Sequence, residues 1–333
     1  MTHSSNRTAT RLNSIFHKLL LFAVLVAGIG QASAGPAMDW LAKMSDAMRN
    51  LSYQGNFVYI HENQLESMSI FHIKNESGEK ERLLSLNGEA REVIRDDKNL
   101  TCIWPSSKKV VVDNSRQNRF SPLFIPEDIA RIGRHYEINL AGKDRVANHD
   151  AVVIRIIPRD QFRYGLKLWI NANNGLLLRS NLINERNEVV EQVMFTNIEL
   201  LSKSEQSQMF ILPEIDDSYS TVRYHSGAAV ENMGADMNWQ FSNIPDGFKK
   251  ESAVKRKVGE TDRLVQQMVF TDGLASLSVF IEKQTAQTIQ GETSMGAVNG
   301  FIYLLNNYSV TAIGEVPAVT VRQVAESVIF QMP

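Results

Sequence analysis

A chain of 333 residues, 43% hydrophobic and 22% charged, has the composition of an ordinary folded protein and the length for two domains. A formal charge of −2 excludes the basic surplus of a general nucleic-acid binder, so no nucleic-acid partner is expected. The lone cysteine, Cys102, excludes an intramolecular disulfide.

In chain order, Arg7, Arg11 and Lys18 precede an apolar run over residues 19–29, and Ala32-Ser33-Ala34 follows it. Basic residues, a short apolar stretch and small residues at the end predict a secretory signal peptide over residues 1–34. The run is shorter than the roughly 20 residues that span a membrane. Cleavage takes three basic residues and no acidic ones from a chain at −2, leaving −5. No cysteine sits near the cut, so the chain does not read as a lipoprotein, and the expected address is the periplasm.

Residues 38–51 predict an amphipathic helix, with Trp40, Leu41, Met44, Ala47, Met48 and Leu51 on one stripe. Strands are then predicted over 52–61, 67–74, 81–86, 91–95, 100–104 and 109–113, each bounded by a polar turn cluster. Cys102 falls inside one of them, where a small buried apolar role fits it best. Pro126 opens a short predicted helix over 126–131. Strands resume at 136–140, 146–147 and 151–157. Residues 164–200 read as a three-strand meander, turned by Asn171-Ala172-Asn173-Asn174-Gly175 and Asn184-Glu185-Arg186-Asn187. About eleven strands and two helices thus precede residue 200.

Neither face of the meander is fully polar. Leu166, Leu168 and Ile170 oppose Trp169, and Val193 and Phe195 oppose Met194. A large, curved or unclosed sheet with apolar residues on both faces suits a binding protein with room for a ligand. Phe57, Tyr59, Ile70, Trp104, Leu168, Trp169 and Met194 are the candidates to line that space, weighed against ordinary core.

Residues 201–221 are polar and aperiodic and read as a linker after a first domain over 35–200. A smaller domain over 222–333 follows. It carries a Pro245-Asp246-Gly247 turn, a hairpin through Thr271-Asp272-Gly273-Leu274 and another through Asn306-Asn307. Pro317 opens a last helix with Val321, Val324, Ala325 and Val328 at helical spacing. Lys249, Lys250, Lys255, Arg256 and Lys257 form a basic cluster, read either as a solvated turn or as a contact for an acidic partner or lipid phosphate.

Catalytic motifs of the G-x-S-x-G, H-E-x-x-H and C-x-x-C kinds are absent from the sequence, no cofactor is implied, and a non-enzymatic role is expected. His149-Asp150 reads as a surface turn, because neighbours on a strand point apart.

Several stretches together resemble the MucB/RseB family of periplasmic regulators of sigma-E-type envelope-stress factors. In the first domain they are Tyr53-Gln54-Gly55-Asn56-Phe57-Val58-Tyr59, Arg91-Glu92-Val93-Ile94-Arg95, Leu168-Trp169-Ile170 leading to Gly175-Leu176-Leu177-Leu178-Arg179, and Glu191-Gln192-Val193-Met194-Phe195. In the second they are Ile244-Pro245-Asp246-Gly247-Phe248, the run from Thr271 to Val279, and Gly314-Glu315-Val316-Pro317. Asn171 and Leu177 depart from the family, which often has Asp and Pro there. The resemblance implies an α+β protein. Its first domain would be an unclosed antiparallel β-barrel with helices, like the lipoprotein carriers LolA and LolB, and its second a smaller α/β domain with an antiparallel sheet. It implies a partner, the periplasmic region of a membrane-spanning anti-sigma factor of the RseA or MucA type, shielded from proteolysis. It also implies release by lipopolysaccharide or an acyl-chain ligand, and a homodimer is a further expectation. The alternative is a periplasmic lipoprotein carrier, against which the second domain counts. A hydrolase would need a Ser, His and acid gathered in space.

Overall fold

The computed structural model describes residues 35–62, 64–76, 78–113, 132–205, 215–224, 238–257 and 264–330. The predicted signal peptide and the predicted helix at 126–131 lie outside them.

Helix α1, Pro36–Asn50, buries Leu41, Met44, Ala47 and Met48 on one stripe, and Asp39 and Arg49 sit at the ends that the helix dipole favours. Eleven strands follow: β1 Tyr53–His61, β2 Gln64–Asn75, β3 Gly78–Ser85, β4 Glu92–Asp96, β5 Leu100–Trp104, β6 Lys109–Asp113, β7 Tyr136–Val146, β8 His149–Pro158, β9 Gly165–Asn171, β10 Leu177–Ile183 and β11 Val189–Leu200. With β12, Ser220–Tyr224, they make one twelve-stranded sheet in the order β12-β6-β5-β4-β3-β2-β1-β11-β10-β9-β8-β7. Each neighbour pair is antiparallel except β12 with β6. The end strands do not pair with each other, so the barrel is unclosed, as the sequence predicts. Residues 220–224, at the junction of predicted linker and second domain, return the chain to this first sheet.

One face of the sheet, the helix face, packs with α1. Phe57 on β1, Ile70 on β2, Leu83 on β3, Leu168 on β9 and Phe195 on β11 join Leu41 and Met44 in a single core. The helix is pinned from the far side by the β9–β10 turn, where Lys43 Nζ donates to the carbonyl oxygens of Ala172 and Asn173 at 3.2 and 3.1 Å. Gly175 makes that approach possible. Its φ is +85°, and a side chain there would meet Lys43 and Ala47 at 3.0 to 3.2 Å. The Asn171 departure is harmless for a visible reason: its buried Oδ1 accepts from the backbone N–H of Asn173 and Asn174, the task an aspartate would perform.

Away from the helix the sheet changes faces. Ile94, Ile103 and Val110 point to the opposite, outer side and form a small core of their own with Val112 and Tyr219. On the helix face nearby the packing turns polar. Buried His72 stacks on Tyr53 with ring centroids 4.8 Å apart, and its Nδ1 lies 2.9 Å from the Leu51 carbonyl oxygen. Cys102 is half-buried and free, and burial pushes its thiol up, away from reactivity.

The second sheet is separate and smaller. It comprises β14 Lys249–Lys257, β15 Leu264–Thr271, β16 Ser276–Lys283, β17 Gly291–Met295, β18 Val298–Leu305 and β19 Tyr308–Gly314, ordered β14-β15-β16-β19-β18-β17. Helix α2, Ala318–Glu326, lays Val321, Val324 and Ala325 on this sheet's core beside Val279, Val310 and Phe270. Strands β13 Trp239–Phe241 and β20 Val328–Phe330 pair beside it.

Three local expectations are corrected. The basic cluster is not a solvated turn but lies in strand β14. His149-Asp150 opens strand β8; the turn is one step earlier, at Ala147 and Asn148, whose φ values of 47° and 64° suit a tight hairpin. The strand expected to stop at Leu140 continues to Val146 through a bulge between Leu140 and Gly142.

Leu41 is fully buried under the sheet, so Leu41→Ala removes packing that nothing else supplies. A loss of about 2–5 kcal/mol is expected, seen as a lower urea midpoint by tryptophan fluorescence.

Candidate functional site

The seven apolar candidates do not share one space. Phe57, Tyr59, Ile70 and Leu168 lie on the helix face; the first, third and fourth are fully buried there and Tyr59 packs against them half-buried. Trp169 and Met194 lie on the outer face, since Trp169 is opposite Arg179 and Arg179 is opposite Met194. Trp104 is half-buried at the end of β5, away from the main core. Burial and the negative charge of Glu191, to which it is hydrogen-bonded, push the Tyr59 hydroxyl far above its ordinary range.

Trp169 is nearly enclosed despite facing outward. Its indole N–H donates to Asp144 Oδ2 at 2.8 Å. Lys167 Nζ and the Arg179 guanidinium lie 4.7 and 4.3 Å from its ring centroid.

The basic cluster forms the edge strand of the smaller sheet. Lys249 and Lys250 are exposed at its start and Lys255 is half-buried. Arg256 and Lys257 occupy the register positions opposite Val265 and Leu264. An edge strand with several cations suits either protection from unwanted strand pairing or recognition of an acidic chain.

The site that sequence reading missed is the seam between the two sheets. The loop between β8 and β9 brings Arg163, the β15–β16 turn brings Asp272, and the start of β7 brings Tyr136. Arg163 Nη1 donates to Asp272 Oδ2 at 2.9 Å with both side chains fully buried. The Tyr136 hydroxyl donates to the same oxygen at 2.8 Å. Asp272 Oδ1 meanwhile accepts the N–H groups of Leu274 and Ala275, closing its own turn. The carboxylate therefore has four donors, which is what a buried charge requires. Arg163 Nη2 donates to the Asp246 carbonyl oxygen at 2.6 Å, Asp160 sits 3.1 Å from Nε, and the Tyr136 and Phe248 rings flank the guanidinium. Burial, then the charge of Asp272, drives the Tyr136 hydroxyl well above its ordinary value, so it stays a donor.

Further bonds fasten the same seam. Asn299 Nδ2 donates to the Tyr164 hydroxyl at 3.0 Å, and Thr320 on α2 donates to the Phe162 carbonyl oxygen at 2.8 Å. Glu191 on β11 accepts from the Ala297 N–H at 3.1 Å, and Glu62 accepts from Gly296 N–H beside it. No sequence pattern pairs these residues, which is why only the fold reveals them.

Among the described residues no group of three or more His, Cys, Asp or Glu is placed to hold a metal. No helix of the described residues is long and apolar enough to cross a membrane. The fold thus defines a two-domain, sheet-built protein whose distinctive chemistry lies in a buried seam and in charged surfaces. The family models agree. Residues 36–212 match the MucB/RseB N-terminal domain and residues 233–329 the MucB/RseB C-terminal domain, so the chain belongs to the MucB/RseB family.

The chain is 30% identical over 318 residues to the sigma factor AlgU regulatory protein MucB of Pseudomonas aeruginosa, covering 93% of this chain and 96% of that one. It is 24% identical over 311 residues to the sigma-E factor regulatory protein RseB of Escherichia coli, covering 90% and 92%. The crystal structure of MucB in complex with MucA(peri) is similar with a TM-score of 0.68 and 26% identity, covering 89% of this chain and all of that one. The relatives are named as regulators, and the fold carries the unclosed sheet and separate smaller sheet expected of the family.

Arg163→Met strands Asp272 in the seam and should cost about 3–5 kcal/mol, whereas Arg163→Met with Asp272→Leu should recover part of that loss. Equilibrium urea unfolding checks it, with the single variant expected to separate into two transitions as the domains uncouple.

Proposed function

We propose that this protein is a periplasmic negative regulator of a sigma-E-type envelope-stress response. It binds the periplasmic region of a membrane-spanning anti-sigma factor of the RseA or MucA type and shields it from regulated proteolysis. A lipid or lipopolysaccharide-like signal releases it. The observation that carries the reading is the match of both family domains, in order, together with a similar solved relative described as a complex with MucA(peri).

In this reading the edge strand with Lys249, Lys250, Lys255, Arg256 and Lys257 supplies cations to the partner. Release is a linkage between two ligands. A lipid that binds only the free form, at 100 times its Kd, weakens the complex by about 2.7 kcal/mol, roughly a hundredfold. The half-buried residues Tyr59 and Met194 can respond to such a ligand without opening the core, whereas Phe57, Ile70 and Leu168 are already spent in packing.

The test is capture of this protein by an immobilised anti-sigma periplasmic segment, with and without lipid A. Capture that falls at least tenfold on adding lipid A is expected. No capture in either condition overturns the reading, and capture indifferent to lipid A overturns its release step.

A further inference from the structure

The two edges of the large sheet are built differently, and one of them is covered by the chain itself. Strand β7, at one edge, is blunted. It carries a bulge between Leu140 and Gly142, Gly142 has a φ of +107°, and Lys143, Asp144 and Arg145 follow in an exposed run. Bulges and charges of this kind keep an edge from accepting a foreign strand. Strand β6, next to the other edge, is the opposite. Its centre is Val110-Val111-Val112, its charges Lys109 and Asp113 stand at its two ends, and its pairings with β5 and β12 run without a register shift. A flat, β-branched strand is a template for another strand.

The strand that covers this template, β12, has little to hold it. Ser220–Tyr224 runs parallel to Lys109–Asp113 in a sheet that is otherwise antiparallel, and parallel pairs are slightly less stable per residue. Side-chain burial adds little, since Ser220, Thr221, Val222 and Arg223 are all exposed. The described anchors lie at or before its first residue. Half-buried Tyr219 packs on Ile94, Ile103 and Val110. The Ser220 N–H donates to the Lys108 carbonyl oxygen at 2.8 Å, and Lys108 Nζ donates to Ser218 Oγ at 3.1 Å on the surface. An exposed edge segment with one packed side chain belongs to the low-stability end of local opening. Strand β12 also lies in the connection from β11 to β13, so its departure would bare the β6 edge and lengthen that connection together.

We propose that β12 is a displaceable guard strand, and that the β6 edge it covers is a docking edge for an extended segment of the anti-sigma partner with β-branched or aromatic residues at alternate positions. The guard itself shows what fits this edge. It is an extended strand that adds backbone hydrogen bonds and lays one large side chain on Ile94, Ile103 and Val110. An antiparallel newcomer gains the more stable pairing that the direction of β12 forgoes, which offsets the advantage β12 has from being tethered. The occupant rests on the regulator reading given above; the displacement of β12 does not.

The test uses the intact protein with Val112→Cys and Arg223→Cys, which are directly opposite in the register, in a Cys102→Ala background. Oxidation locks β12 to β6, and dithiothreitol frees it. Hydrogen exchange followed by mass spectrometry is expected to show residues 219–224 of the reduced protein exchanging at least tenfold faster than β1, and the lock slowing them at least tenfold. Exchange of 219–224 in step with β1 would overturn the guard. Capture by an immobilised anti-sigma periplasmic segment is expected to be at least tenfold weaker for the oxidised form than for the reduced one. Equal capture of the two forms would overturn the docking edge and leave the earlier reading in place. No capture even of the unmodified protein would overturn the earlier reading and this occupant with it, while exchange still decides the guard. Circular dichroism and melting confirm that the variants fold. Tyr219→Ser, which loosens the guard without a cross-link, should speed exchange of 219–224 and strengthen capture at least threefold; unchanged exchange or weaker capture would count against the proposal.

Discussion

Arg163 and Asp272, 109 residues apart in sequence, meet as a fully buried ion pair, and the relation of the two sheets depends on it. A buried pair of this kind is a weak source of net stability, because two charges must first leave water. Its value is positional. Asp272 uses one oxygen to close the β15–β16 turn and the other to receive Arg163 and Tyr136, so the geometry of a turn in one sheet sets the place of a loop and a strand start in the other. A hydrophobic patch would tolerate sliding; four directed donors do not. The hydrogen bonds from Asn299, Thr320 and Ala297 to the first domain then act on surfaces already in register.

This arrangement leaves the large sheet with two unequal faces. Helix α1 and the cluster of Phe57, Ile70, Leu168 and Phe195 fill the helix face. Among the described residues the outer face carries the Tyr219 cluster near one edge and the cations around Trp169 toward the other. The apolar residues on both sides of the strands, which in the sequence suggest a single cavity, are thus shared between a core and an amphipathic exterior.

What was legible in the sequence follows from where local chemistry decides the outcome. Asn and Gly at residues 171–175 and 184–187 close tight turns through their own side chains and positive φ, so the meander could be read residue by residue. The helical stripe from Leu41 to Met48 was equally plain. Faces were harder, because bulges break alternation. One between Leu177 and Arg179 lets Leu176, Leu177 and Leu178 all be buried, and one between Asn56 and Phe57 of the β1–β11 pairing puts Ile198 with Phe195. Strand β14 hid behind its lysines, since an edge strand needs few apolar residues. Asp272 was legible as a turn residue, and that local role accounted for it so completely that its long-range partner left no trace.

A row of cations on the outer face shows the same limit from the other side. Arg155, Lys167 and Arg179 are 12 residues apart in each step, and read singly each is an ordinary exposed residue of an alternating strand. Pairing β8 with β9 and β9 with β10 is what brings them together. Beside them lie amides, the Trp169 indole and Asp144, whose carboxylate takes the indole N–H and is lowered by that bond and by the charges of Arg179 and Lys167. The seam holds its charges where water cannot reach them and fixes a shape; the outer row holds its cations half-buried, beside an exposed carboxylate.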